Sequence, residues 1–91
     1  MTNEEIIREF ISAWPRLDPE ELASYFTEDG TYYNMPVEPV TGRENVKQMI
    51  AGFIAPWTWT EWEIVNLVAA GDVVFAERVA RIRSADVSIA L

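Results

Sequence analysis

The sequence predicts an α+β domain, with three helices packed on one face of a curved, mostly antiparallel sheet. Three observations lead there. Apolar residues recur at helical spacing before Pro56, and the period falls to two from Trp57 onward. Ala70-Gly71-Asp72 then interrupts the second pattern where a hairpin turn belongs, so the flanking strands are antiparallel. A twisted sheet wrapped around a long helix forms a cone whose open end is a pocket.

Each element has its own signal. Thr2 and Glu5 have capping-box spacing, and Glu4 and Glu5 lie where the helix dipole favours negative charge. Behind them Ile6, Ile7, Phe10, Ile11 and Trp14 form one stripe, which Pro15 ends. Asp18 caps a second helix with Pro19 at its first position, Leu22, Tyr25 and Phe26 as its buried stripe, and Asp29-Gly30 as its end. The short link between these helices suggests an antiparallel pair. Thr31 to Met35 reads as a short strand closed by Pro36, followed by the irregular Val37-Glu38-Pro39-Val40. Thr41-Gly42-Arg43-Glu44 opens a third helix, with the stripe Val46, Met49, Ile50, Phe53 and Ile54, and Pro56 stops it. Trp57 to Ala69 is a long strand with large apolar groups on both faces, which predicts cover on both sides or a bulge. Val73 to Arg83 returns, and Ser84-Ala85-Asp86 turns into a last strand, Val87 to Leu91.

Composition narrows the function. A chain of 91 residues, 49% hydrophobic and 12% aromatic, fits one ordered domain spanning 1–91. Absence of cysteine and histidine removes disulfides, thiolate nucleophiles, zinc fingers and Ser-His-Asp triads together. Fifteen acids against seven bases give a net charge of -8, a surface that repels phosphate and makes nucleic acid and anionic membranes poor partners. No apolar run reaches a membrane span, and Met1-Thr2-Asn3-Glu4-Glu5 lacks the basic start of a signal peptide, so the expectation is a soluble cytoplasmic protein.

Chemistry then falls to carboxylates, tyrosines, asparagine and arginine. Strand alternation puts Tyr32 and Asn34 on one face and Tyr33 on the other, so a phenol and an amide can hold one water or ligand oxygen. The plainer alternative is that tyrosines favour strands and Asn34 begins the turn before Pro36. Arg78 shares a face with Val74, Ala76, Ala80 and Ile82. Either this cation is buried and needs an acid or a ligand anion, or it sits at the rim and reaches water. The run Trp57-Thr58-Trp59-Thr60-Glu61-Trp62 reads as core packing or a subunit interface, and a homodimer through this sheet face is expected. The acidic pairs Glu4-Glu5 and Glu20-Glu21 read as helix caps.

Several segments in order resemble the limonene-1,2-epoxide hydrolases, whose fold is shared with ketosteroid isomerase and nuclear transport factor two. They are Phe26-Thr27-Glu28-Asp29-Gly30, Tyr32-Tyr33-Asn34-Met35-Pro36, Gly42-Arg43 and Glu77-Arg78-Val79. The resemblance implies a cofactor-independent and metal-independent addition of water to a small apolar, terpene-like epoxide, giving a vicinal diol. It implies that Tyr32 and Asn34 orient the water and that Arg78 bridges two aspartates. The acid aspartate of the family falls on Ala80, however, and the tryptophan-arginine-aspartate element that carries the base has no counterpart in the 91 residues, nor do the family's last two strands. The expectation is therefore a crippled hydrolase; the alternatives are a non-catalytic domain binding a small hydrophobic ligand, or a dimerisation module.

Overall fold

A computed structural model of the chain describes residues 1–34, 37–84 and the backbone of 88–90. The expected ends of two elements, Met35-Pro36 and Ala85 to Val87, lie outside the described residues, as does Leu91. The structure is α+β with three α-helices and antiparallel strands, as the periodicity predicts, but the described strands form two sheets where one was expected. It divides into two compact units, Met1–Leu17 with Pro56–Leu91, and Asp18–Ala55.

The first unit begins with α1 (Asn3–Ala13), which carries the expected capping box. The Glu5 backbone N–H donates to Thr2 Oγ1 at 3.1 Å, and the Thr2 N–H donates back to Glu5 Oε1 at 3.5 Å. Pro15 does not end the chain's helical path abruptly. It sits in a 3₁₀ turn, Trp14–Arg16, which closes at Leu17 in the left-handed region with φ 51°. The sheet of this unit has the order β3 (Trp57–Ala70), β4 (Val73–Ser84), β5 (Ser88–Ala90), all antiparallel. Gly71, at φ 57°, makes the tight turn between β3 and β4, a conformation glycine adopts without steric cost.

The register explains why β3 looks apolar on both faces. It slips between Trp57 and Trp59 and again between Ile64 and Asn66, so β3 changes phase twice against the regular β4. Trp62, Ile64 and Leu67 therefore share the inner face with Ala80, Arg78 and Ala76 although their spacing is not strictly two. Ala80 and Ile82 on that face are buried, as are Ile11, Ala13, Trp14 and Thr60. The outer face is polar at one end: Arg81 reaches both Glu61 at 3.2 Å and Glu63 at 3.3 Å, and the Asn66 amide donates to Glu77 Oε1 at 2.7 Å. Towards the hairpin it turns apolar, with Val68 opposite Phe75 and both largely exposed.

In the second unit, Asp18 caps α2 (Pro19–Ala23) by accepting from the backbones of Glu20 and Glu21 at 3.0 and 3.3 Å. The helix ends earlier than Asp29-Gly30. Its continuation tightens into a turn in which Tyr25 and Phe26 donate to carbonyls three residues back, and the Ser24 hydroxyl donates to the Glu21 carbonyl. The expected strand from Thr31 is paired only over β1 (Thr31–Tyr32). Its partner is β2 (Val40–Thr41), where the sequence suggested irregular chain and a helix start. The two threonine hydroxyls, Thr31 and Thr41, are hydrogen-bonded at 2.9 Å across this pair. Gly42 then supplies φ 97° at the N-cap of α3 (Arg43–Ile54). Within the unit α2 packs on α3, and Leu22, Val46 and Ile50 are fully buried.

Candidate functional site

Tyr32 and Asn34 belong to the second unit. Pairing of β1 stops at Tyr32, yet burial still alternates: Tyr32 and Asn34 are half-buried and Tyr33 is 58% exposed. Tyr32 has a partner the sequence reading did not assign. The Phe26 ring stacks on it, with centroids 5.4 Å apart and planes 16° from parallel. Phe26 is itself tied down, because Arg43 Nε donates to its carbonyl at 2.8 Å. Two backbone bonds fix the same junction: Arg43 N–H donates to the Glu28 carbonyl at 3.0 Å, and Gly42 N–H to the Gly30 carbonyl at 2.8 Å. Thus the segments Phe26 to Gly30, Tyr32-Asn34 and Gly42-Arg43, which are remote in sequence, meet in one hydrogen-bonded junction. Asn34 contributes its carbonyl to a turn, accepting from the Val37 N–H at 2.8 Å.

Arg78 belongs to the first unit. It is exposed, not buried, which decides between the two alternatives its apolar row leaves open. Its guanidinium carbon lies 4.1 Å from the centroid of the Trp62 ring. Trp14 stacks on the same indole at 4.2 Å and 7° from parallel, and two groups that close cannot share one face. Trp62 is therefore sandwiched between Trp14 and Arg78. The Trp62 indole N–H donates to Thr60 Oγ1 at 2.9 Å, and that hydroxyl donates to the Arg81 carbonyl at 2.8 Å, which fixes the ring's orientation. Phe10 and Trp57 flank Trp14 at 5.7 and 6.2 Å. Trp57 and Trp62 thus pack against Trp14 within the unit, the core-packing alternative for the tryptophan run, and Trp59 lies under Arg83 at 4.4 Å.

Ala80, the position matching the family's acid, is buried directly across from Trp62, so no carboxylate stands there. The Trp14 indole N–H is buried with no hydrogen-bond partner among the described residues. An open cavity of about 250 Å³ on the surface lies between α1 and the hairpin, lined by Asn3, Ile6, Ile7, Asp72 and Val74. Among the described residues no three His, Cys, Asp or Glu side chains gather as metal ligands, and no helix is long and apolar enough to cross a membrane.

A model of the SnoaL-like domain matches residues 7–89. Among solved structures, a Catenulispora acidiphila protein of ketosteroid isomerase-like fold, in complex with trimethylamine, is 28% identical with a TM-score of 0.85, over 98% of this chain and 71% of that one. An LEH-like epoxide hydrolase of M. tuberculosis is 16% identical, with a TM-score of 0.78 over 94% of this chain and 64% of its own. A Novosphingobium aromaticivorans protein described as a scytalone dehydratase is 22% identical, with a TM-score of 0.80 over 96% and 62%. The chain thus spans 62 to 71% of the length of these three. At such identities the last two likenesses establish the fold alone.

Proposed function

Because the chain belongs to the SnoaL-like domain family, sharing the ketosteroid isomerase and nuclear transport factor two fold, we propose that it is a cofactor-free hydrolase-type domain of the limonene-1,2-epoxide kind, weakened by an alanine at the acid position. The observation that carries this reading is the junction around Tyr32. A half-buried phenol is held by the Phe26 ring, with Asn34 on the same side of the chain. In the reaction a water oxygen attacks one epoxide carbon, the carbon–oxygen bond breaks, and the electron pair stays on the leaving oxygen. The water's proton must then leave, and the alkoxide must gain one.

Tyr32 and Asn34, both in the second unit, orient the water by hydrogen bonds. Neither is a proton acceptor of useful strength at neutral pH. With Ala80 at the acid position, no carboxyl group stands there to protonate the leaving oxygen, and that transfer falls to solvent. Such a transfer is typically worth about 10²–10⁴ in rate, so hydrolysis should be at least about a hundredfold slower than by an enzyme with an aspartate at this position. A second reading, a domain that only binds a small hydrophobic ligand, is favoured by the apolar burial of Ala80.

The partner in either case is a small apolar molecule, and the chain associates as a homodimer through the outer sheet face, where Val68, Val73 and Phe75 are exposed. Diol formation from a terpene epoxide separates the two readings. Turnover above the uncatalysed rate that falls at least about tenfold in Tyr32→Phe supports the hydrolase. Diol formation at the uncatalysed rate in both proteins contradicts it.

A further inference from the structure

The seven arginines and lysines of this chain are heavily outnumbered by acids, so a cation without a carboxylate is unexpected. Arg8, Lys47 and Arg81 each pair with glutamate, and Arg43 donates to a carbonyl. Among the described residues no carboxylate pairs with Arg78. Its guanidinium instead lies on Trp62, which Trp14 and Thr60 hold in place. Stacking uses the face of a guanidinium and leaves the in-plane N–H donors unspent, in the fork that matches a carboxylate.

The surroundings of Arg78 are apolar. Ile64 lies opposite it, Ala76 and Ala80 flank it, and Val74 continues the same face. Four residues along β4, roughly 13 Å at about 3.3 Å per residue, Val74 meets Ile6 and Ile7 of α1 in the cavity of about 250 Å³. That volume is below the range of about 300–1,000 Å³ usual for drug-sized ligands, which suits an alkyl end better than a polycyclic body. Asp72 lines the cavity too, and its negative charge disfavours an anionic group there. The charge pattern sets one direction, with the acid at Arg78 and the apolar end at Val74.

We propose that the inner face of β4 binds an amphipathic, medium-chain carboxylate, with its head on the in-plane edge of Arg78 and its tail along Ala76 and Val74 into the cavity under Ile6 and Ile7. This goes beyond the hydrolase reading and uses neither Tyr32 nor Asn34. The site is contained within one unit of the fold.

The test is calorimetric titration of the full chain with sodium octanoate, with acetate and 1-octanol as partial probes. Octanoate is expected to bind saturably, acetate and octanol at least about tenfold more weakly, and added salt to weaken octanoate. Arg78→Met should lower octanoate affinity at least about tenfold. Arg83→Met removes the other indole-stacked arginine, on the outer face, and should leave it unchanged. Val74→Asp should weaken octanoate by a similar factor to Arg78→Met, through the tail. Near-UV circular dichroism of each variant checks that the tryptophan cluster is intact, and Arg78→Lys, which keeps the charge but not the fork, should bind at an intermediate level. Equal affinity in wild type and Arg78→Met, acetate binding as tightly as octanoate, or equal losses in the Arg78 and Arg83 variants would each overturn the proposal. Diol formation is measured without octanoate, so a failure of either idea is read separately.

Discussion

Replacing Arg78 by methionine gives opposite signs for different environments, so its effect on stability is a sharp test. A buried, unpaired cation replaced by an apolar group of similar length should stabilise the fold by about 1–4 kcal/mol, and breaking a buried pair should cost about 3–5 kcal/mol. The structure supports neither case. Arg78 is exposed, pairs with no acid among the described residues, and touches the Trp62 ring at 4.1 Å. A cation on an exposed indole contributes about 0.5–1 kcal/mol. Methionine keeps the stem packed on the ring and adds a sulfur–aromatic contact of about 0.3–1.5 kcal/mol, so the net loss should not exceed about 1 kcal/mol. A double-mutant cycle with Trp62→Leu isolates the contact, because the Trp14 stack and the Thr60 hydrogen bond vanish in both arms that lack Trp62. The coupling expected is about 0.5–1 kcal/mol. Urea denaturation with unchanged m-values is the assay. A gain above about 1 kcal/mol, or a loss above about 2 kcal/mol, would show that the exposed, indole-stacked assignment is wrong.

Other outcomes follow from the same geometry. Gly42→Ala should destabilise by about 1–3 kcal/mol through backbone strain at φ 97°, since the added Cβ would meet Asn45 Nδ2 at 3.6 Å and the Glu28 carbonyl oxygen at 3.9 Å, both ordinary contacts. Gly52→Ala should instead stabilise by about 0.5–1 kcal/mol, because it lies within α3 with nothing inside 4 Å; thermal melts of the two variants check both signs. The Glu20 carboxylate, hydrogen-bonded to Lys47 at 2.9 Å, raises the lysine above its ordinary value of 10.5. Its small stabilisation is therefore present below that value and lost as pH rises through the folded-state one, and Glu20→Gln should bring an NMR titration of Lys47 back down. Light scattering at micromolar concentration should report a dimer, and Phe75→Glu should give a 10.4 kDa monomer; a wild-type monomer with full near-UV signal would rule out association through the outer face.

Much of the fold is legible from local chemistry. Capping at Thr2 and Asp18, the stripe of α3 and the turn at Gly71 depend on residues close in sequence, and the structure reproduces them. The early end of α2 and the pairing of β1 with β2 were not legible, because each depends on partners supplied by the tertiary fold. The bulges of β3 were foreshadowed by its two apolar faces, but their positions come from register with β4. At the candidate site, Tyr32 and Asn34 could be read from alternation, whereas the Phe26 stack and the Arg43 bond could not. Arg78 was visible as an oddity in an apolar row. The fate of that charge was decided by Trp62, brought beside it by the same register.

The most direct test of the account is the pH dependence of diol formation from a terpene epoxide, measured between about pH 5 and 9. With Ala80 at the acid position, no carboxyl group stands there to protonate the leaving oxygen. The account predicts a slow rate, at least about a hundredfold below that of a family member with an aspartate at this position, and no bell-shaped dependence across this range. A bell-shaped profile with turnover near that of an intact relative would contradict the account and show that Glu77 or another carboxylate has assumed the proton transfers.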